Sequence, residues 1–114
     1  MGRHRIIVNP VSGRGAGERA IPAIEQTLKG YGLDFDLVRT ERPWHATALA
    51  REAAAGGYDV VVAAGGDGTA NEVLNGLIQA QQAGAGRRVA LGILSVGRGN
   101  DFAFGAGVPA GVEA

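Results

Sequence analysis

The stretch "YDVVVAA" at residues 58–64 constrains the fold more than any other part of the chain. From Val60 to Ala64 every residue is apolar, with no alternation. A strand with one face in water shows a period of two. An unbroken apolar run predicts a strand buried on both faces, as in a parallel sheet covered by helices on each side. The run ends in "GGDGTANEV" (65–73), so a core strand opens into a glycine-rich turn that carries a bare carboxylate, Asp67.

The rest of the chain repeats this alternation. "RIIVN" (5–9) is a short β-branched run ended by Asn9-Pro10, and reads as a strand. The loop "PVSGRGAG" (10–17) follows it. Ile21, Ile24 and Leu28 share one helical face. Because Pro22 is tolerated in a first turn, that helix is expected to start near Ala20. Residues 34–40 read as a second strand. Ala46, Leu49, Ala50 and Ala53 mark a second helix, with His45 in its first turn in a structural role and Trp44 as a packing residue. Ala70, Val73, Leu74, Leu77 and Ile78 form a third helical stripe, expected to begin near Thr69. "RVALGILSV" (88–96) gives a fourth strand. Residues 97–107 read as a glycine-rich loop with one helical turn at Asp101–Phe104. The pattern predicts one three-layer α/β/α domain over residues 1–114 with a mainly parallel sheet.

Composition excludes several classes. Eleven basic and eleven acidic residues cancel, which removes a general attraction to nucleic acid. The chain has no cysteine, so it has no disulfide framework or thiolate metal site, and this fits a cytoplasmic location. No apolar stretch is long enough to span a bilayer. The twenty glycines cluster at the ends of apolar runs rather than in a linker.

Loops that follow parallel strands gather at the carboxyl edge of the sheet, where ligands bind. Three of these loops are glycine-rich: "NPVSGRGAG", "GGDGTANE" and "GRGNDFA". Glycine allows close backbone approach, and the amides at the start of the following helix suit an anion such as phosphate. A carboxylate repels phosphate unless a divalent cation such as Mg²⁺ joins them. Asp67 in a phosphate loop therefore points to a metal link or a catalytic role. On its own, Gly-Gly-Asp-Gly also fits a tight turn with Asp67 as the cap of a helix. "SGRGAG" has the wrong glycine spacing for a dinucleotide fingerprint, with Asp34 or Asp36 only loosely placed as its acid. A Walker A motif is missing, and the single lysine, Lys29, lies at a helix end. Positive charge near phosphates would come from Mg²⁺, backbone amides, Arg14 or Arg98.

"NPVSG" (9–13), "GGDGTANEV" (65–73) and "GRGNDFA" (97–103), in this order and spacing, resemble the diacylglycerol kinase catalytic-domain family, which includes bacterial lipid kinases and sphingosine kinases. Thr40–Ala46 is similar to a fourth element of that family. The resemblance covers nearly the whole chain and implies a Rossmann-like domain of the type found at the N-terminus of lipid kinases and NAD kinases. NAD kinases share GGDGT but not the Asn-Pro-x-Ser-Gly start. What it implies is transfer of the ATP γ-phosphoryl group to a lipid hydroxyl such as that of diacylglycerol, with Mg²⁺. The alternatives are an NAD kinase-like enzyme with a soluble acceptor and a non-catalytic nucleotide-binding module.

Carried over by position, the resemblance implies ATP contacts from Asn9, Pro10, Val11, Ser12 and Gly13, from Thr40, and from Gly66, Asp67, Gly68, Thr69, Ala70, Asn71 and Glu72. Asn100 and Asp101 match the third motif beside the nucleotide. Asp67 is the expected catalytic carboxylate, either holding Mg²⁺, directly or through water, or taking the hydroxyl proton. The family's third motif usually reads Pro-x-Gly-Thr-Gly-Asn-Asp. Here Ser95 replaces the proline and Arg98 the threonine, so Arg98 is expected to pair with phosphate instead. Phe104 stands where a basic residue is common. The resemblance also implies a second, β-rich domain that helps to form the lipid site and lies beyond this sequence. The 114 residues alone are expected to be inactive, with an apolar patch near Phe102, Phe104 and Val108 that favours a homodimer. The complete enzyme is expected to be cytoplasmic, with transient contact at a membrane surface.

Overall fold

A computed structural model of the chain describes residues 3–84 and 89–94, and the backbone of 95–96 and 102–109. Its elements are β1 (Arg3–Val8), α1 (Ser12–Gly30), β2 (Asp34–Arg39), α2 (His45–Ala55), β3 (Val60–Gly65), α3 (Asp67–Gln82), β4 (Ala90–Val96) and β5 (Phe102–Pro109). The strands form one sheet in the order β2-β1-β3-β4-β5. The first four run parallel, and β5 lies antiparallel on β4. The α/β, mainly parallel architecture expected from the sequence is the one observed.

The apolar run explains the layers. Val61 and Ala63 of β3 face α2 and α3, where they pack with Ile7, Ala50, Val73 and Leu77. Val62 and Ala64 face α1, where they pack with Ile6, Val8, Ile21, Ile24 and Leu28. Alternate residues of one strand thus enter two separate cores, and neither face is left for water. Ile6, Ile7, Val8, Val61 and Val62 have no exposed surface. The helices on the α2–α3 side sit close because Gly76 has no side chain. A Cβ there would lie 2.3 Å from the Thr47 carbonyl oxygen and 2.9 Å from the Ala50 Cβ.

Three expectations need correction. α1 includes residues assigned to the preceding loop: Gly13, Arg14 and Gly15 break its start with φ of 61°, 59° and 90°, and regular helix resumes at Ala16. Pro22 therefore falls beyond the first turn, and the helix starts about four residues before Ala20. The segment expected as a glycine-rich loop contains β5, so Phe102–Phe104 is extended rather than helical. The alternation of "FAFGAGV" yields to pairing along β4, with Val96 opposite Phe102 and Leu94 opposite Phe104. Trp44 is not a packing residue: it is 62% exposed. The side chains of Phe102, Phe104 and Val108, on which the expected apolar patch rests, lie outside the described residues.

The amino-terminal end of the sheet is closed by a polar cluster. Arg5 and Asp36 are opposite each other in register. Arg5 Nε donates to Asp36 Oδ1 at 3.0 Å and its Nη2 donates to the Tyr58 hydroxyl at 2.6 Å. The Tyr58 hydroxyl in turn donates to Asp36 Oδ2. The guanidinium carbons of Arg3 and Arg5 lie 4.5 and 4.4 Å from the centre of the Tyr58 ring. Burial pushes the Asp36 carboxyl up, but the hydrogen bonds from Arg5 and Tyr58 and the charges of Arg5 and Arg3 outweigh it, so the group is held below the usual carboxylate range.

Candidate functional site

The sheet changes direction between β1 and β3. From β1 the chain passes through α1 on one face to the edge strand β2. From β3 it passes through α3 on the other face to β4. The loops after β1 and β3 therefore diverge, and such a switch point leaves a crevice at the carboxyl edge. A cavity of about 310 Å³ occupies it. Asn9, Pro10 and Val11 line it from the end of β1; Thr40, Glu41, Arg42 and Pro43 from the end of β2; and Ala46, Thr69 and Glu72 from α2 and α3.

Each wall has a local cause. At the first, the Asn9 amide donates to the Ala64 carbonyl at 3.1 Å, which carries the β1–β3 ladder one residue further. The Asn9 side chain then accepts the Val11 amide at 3.2 Å, forming an Asx turn. The Glu18 amide returns to the Pro10 carbonyl at 3.1 Å and ties the start of α1 to the loop. At the second wall, the Thr40 amide donates to the Val8 carbonyl at 2.8 Å before the chain leaves the sheet. At the third, the Thr47 hydroxyl donates to the Glu72 carbonyl at 2.8 Å, fixing α3 against α2 where Glu72 lines the groove.

Beside the groove lies the turn between β3 and α3. Gly66 occupies the cap position in an extended conformation, and Asp67 is the first helical residue. Asp67 is thus not the capping residue that the single-loop reading allowed for. The first helical bond runs from the Ala70 amide to the Gly66 carbonyl at 3.2 Å. The amides of Asp67, Gly68 and Thr69 precede it and have no acceptor within the helix. The Asp67 side chain is exposed and makes no hydrogen bond or ion pair with another described residue. A Cβ on Gly68 would meet nothing within 4 Å, and one on Gly66 would meet only the Ser12 hydroxyl at 3.8 Å. Neither glycine has a positive φ. The protein's own packing and backbone therefore do not require glycine at 66 and 68. Gly65 differs: a Cβ there would lie 2.7 Å from the Thr69 hydroxyl.

The structure gathers Asn9, Pro10, Val11, Thr40, Thr69 and Glu72 from the predicted set into one groove. Ser12, Gly66, Asp67 and Gly68 stand next to it at the first and second loops, while Gly13, Ala70 and Asn71 do not line it. Arg98, Asn100 and Asp101 lie outside the described residues. Arg14 does not line the groove either; it holds a left-handed conformation, with its carbonyl accepting Arg19 Nη1 at 3.2 Å. Glu41, Arg42, Pro43 and Ala46 were missed as wall residues, although the Thr40–Ala46 element that contains them had been singled out.

No group of three or more potential metal ligands occurs among the described residues. That pattern does not fit a closed, all-protein cage. Mg²⁺ is commonly bound through only one or two carboxylates with waters and phosphate, and Asp67 supplies one exposed carboxylate at the start of α3.

Residues 3–114 match the family model described as the diacylglycerol kinase catalytic domain. A diacylglycerol kinase of Bacillus subtilis is 41% identical over 109 residues, a match that covers 96% of this chain and 34% of the relative. A diacylglycerol kinase of Staphylococcus aureus is 38% identical over 107 residues, covering 94% of this chain and 32% of the relative. The chain thus spans about a third of the length of the curated relatives it matches. Among solved structures, a diacylglycerol kinase of Bacillus anthracis superposes with a TM-score of 0.61 at 28% identity, covering 88% of this chain and 35% of that one. Another solved structure from the same organism gives 0.70 at 30% identity, with 88% and 34% covered.

Proposed function

Since the chain belongs to the diacylglycerol kinase catalytic-domain family, we propose that it forms the nucleotide-binding part of a lipid kinase, with ATP in the groove and a lipid hydroxyl as acceptor. One observation carries the reading. Three motifs far apart in sequence, around Asn9, Thr40 and Thr69, meet in a single crevice beside an exposed carboxylate and helix amides that have no partner among the described residues.

The groove has apolar walls at Pro10, Val11, Pro43 and Ala46 and polar groups at Asn9, Thr40, Thr69 and Glu72. Such a mixture suits a nucleoside, whose base is flat and apolar and whose ribose offers hydroxyls. The triphosphate extends toward Gly66–Gly68, where glycine leaves room and the amides of Asp67, Gly68 and Thr69 donate to oxygen. Asp67 holds Mg²⁺, which when bound neutralises charge on the phosphates. Phosphoryl transfer asks for positioning and charge neutralisation rather than covalent chemistry from the protein. In the alternative role, Asp67 accepts the acceptor's hydroxyl proton.

No described helix is long and apolar enough to cross a membrane. In this reading the lipid is taken up at a membrane surface. Calorimetric titration with MgATP and a phosphotransfer assay against diacylglycerol and NAD test it. Binding of MgATP and transfer to diacylglycerol are expected of the complete enzyme, and none to diacylglycerol from the 114 residues alone. Transfer to NAD instead would replace the lipid acceptor with a soluble one, and failure to bind any nucleotide would end the reading.

A further inference from the structure

The second wall of the groove is built from a segment that almost nothing apolar anchors. Glu41, Arg42, Pro43 and Trp44 are four exposed residues in succession. Trp44 sits at φ 66°, in the left-handed region that a bulky side chain rarely adopts. With 62% of its surface in water, Trp44 cannot hold that conformation by packing. A strained backbone persists only where its surroundings over-determine it.

Hydrogen bonds supply the constraint. The Thr47 amide donates to the Trp44 carbonyl at 3.1 Å, and the His45 amide to the Arg42 carbonyl at 3.2 Å. Both are backbone bonds of the kind that open a helix. The third is different: the Glu41 amide donates to Nδ1 of the His45 ring at 2.9 Å. This bond closes the loop from Glu41 to His45 through a side chain. Because an amide can only donate, Nδ1 is the acceptor in this bond. The imidazole thereby fixes the backbone at Glu41, next to Thr40, and both residues face the groove with Arg42 and Pro43.

We infer that His45 is a positioning residue for the nucleotide: its Nδ1 holds the Thr40–Pro43 turn as the wall that receives the base and ribose. The inference rests on the nucleotide reading of the groove and adds to it a role for a residue outside the groove lining. It also explains why the strained Trp44 is tolerated, since the closed loop requires a left-handed residue just before the helix.

The test compares His45→Phe, which keeps a flat ring and removes the acceptor, with His45→Asn, whose Oδ1 lies at the same place along the side chain as Nδ1. Trp44 is the one tryptophan of the chain, so its fluorescence, alongside calorimetry, reports MgATP binding. Amide exchange at Glu41 reports the bond itself. His45→Phe is expected to lose Glu41 protection and to weaken MgATP binding about five- to tenfold, the worth of one hydrogen bond, with little change in Tm. His45→Asn is expected to recover most of both. Equal protection in all three proteins, or equal affinity for the parent and His45→Phe, would overturn the positioning role. So would a loss of Tm with affinity preserved, which would make His45 a helix-stabilising residue only. A parent that binds no MgATP overturns instead the nucleotide reading, and with it the ligand named here.

Discussion

Gly17 lies against the Asn9 carbonyl so closely that a Cβ on it would sit 2.0 Å from the oxygen and 3.1 Å from the carbonyl carbon. The groove's first wall depends on this approach. The bond from the Glu18 amide to the Pro10 carbonyl forms only when α1 begins directly over the end of β1. Neither atom that a methyl group would meet is a side-chain end that could swing aside; both are backbone. Gly17→Ala is therefore expected to push α1 away from the Asn9–Val11 turn and to destabilise the fold by about 3 kcal/mol. In a domain of this size that lowers Tm by more than about 10 °C. Thermal unfolding checks it, and an unchanged Tm would show that the helix can slide without cost.

Asp67 gives the opposite expectation. Its carboxylate is exposed, partners no described residue and is not the cap of α3. Its structural contribution reduces to a negative charge at a helix N-terminus, about 0.5 kcal/mol. Asp67→Asn should leave Tm within a few degrees of the parent. In the complete enzyme the same change removes the charge assigned to Mg²⁺ and the proton, and kcat should fall by at least about a hundredfold. Full kcat in this variant would return Asp67 to a helix-terminus role.

The two glycines at 66 and 68 show how the sequence could be read for function. "GGDGT" after an apolar run placed a glycine-rich turn at the end of a buried strand, and Val60–Ala64 alone was enough to predict a sheet covered on both faces. Gly17 shows what was not legible. Its packing partner is a backbone oxygen eight residues away, and nothing in "SGRGAG" separates a glycine needed for close approach from one needed for a left-handed turn. The same string hides three consecutive left-handed residues, 13–15, so the start of α1 could not be located from Pro22. β5 was missed because five glycine- and polar-rich residues precede it and glycines interrupt its own apolar pattern, although its pairing with β4 starts only six residues apart, at Val96 and Phe102. The wall from Glu41 to Ala46 was missed for another reason: exposed Glu, Arg, Pro and Trp look like an ordinary surface turn until β2 and α3 bring them beside Thr69 and Glu72.

The polar cluster at the other end of the sheet predicts a pH dependence of stability. Asp36 has its carboxyl held below its ordinary value of 3.8. The unfolded chain therefore takes up that proton more readily than the folded one, and stability falls as pH drops. The contribution is complete above 3.8 and is lost as pH falls through the lower folded value. Asp36 keeps 38% of its side-chain surface exposed, so solvent screens the pair and the effect is modest. Asp36→Asn should flatten the slope of stability below about pH 4 relative to the parent. Denaturant titrations across that range check it; parallel slopes in the two proteins would assign the acid loss to other carboxylates.

Arg98 is the position where this chain departs most from the motif it resembles, and the charge around the groove says what its substitution should do. Two carboxylates, Glu41 and Glu72, line the walls, while Arg42 is the single cation among the described lining residues. A triphosphate entering such a groove meets net negative charge, and Mg²⁺ offsets only part of it. Arg98 follows β4, whose carboxyl end adjoins that of β3 through the pairing of Gly65 with Ser95. A guanidinium there adds a permanent charge and can bind phosphate with two parallel hydrogen bonds. Arg98→Thr should keep MgATP affinity within a few-fold of the parent, because a hydroxyl restores the contact usual in the family. Arg98→Glu should weaken binding by at least about tenfold at low salt. That difference should shrink as salt approaches the molar range, where screening acts within about 3 Å. Calorimetry at two ionic strengths decides the point: equal affinity for the parent and Arg98→Glu would place Arg98 away from the phosphates and leave Mg²⁺ and the helix amides to neutralise them.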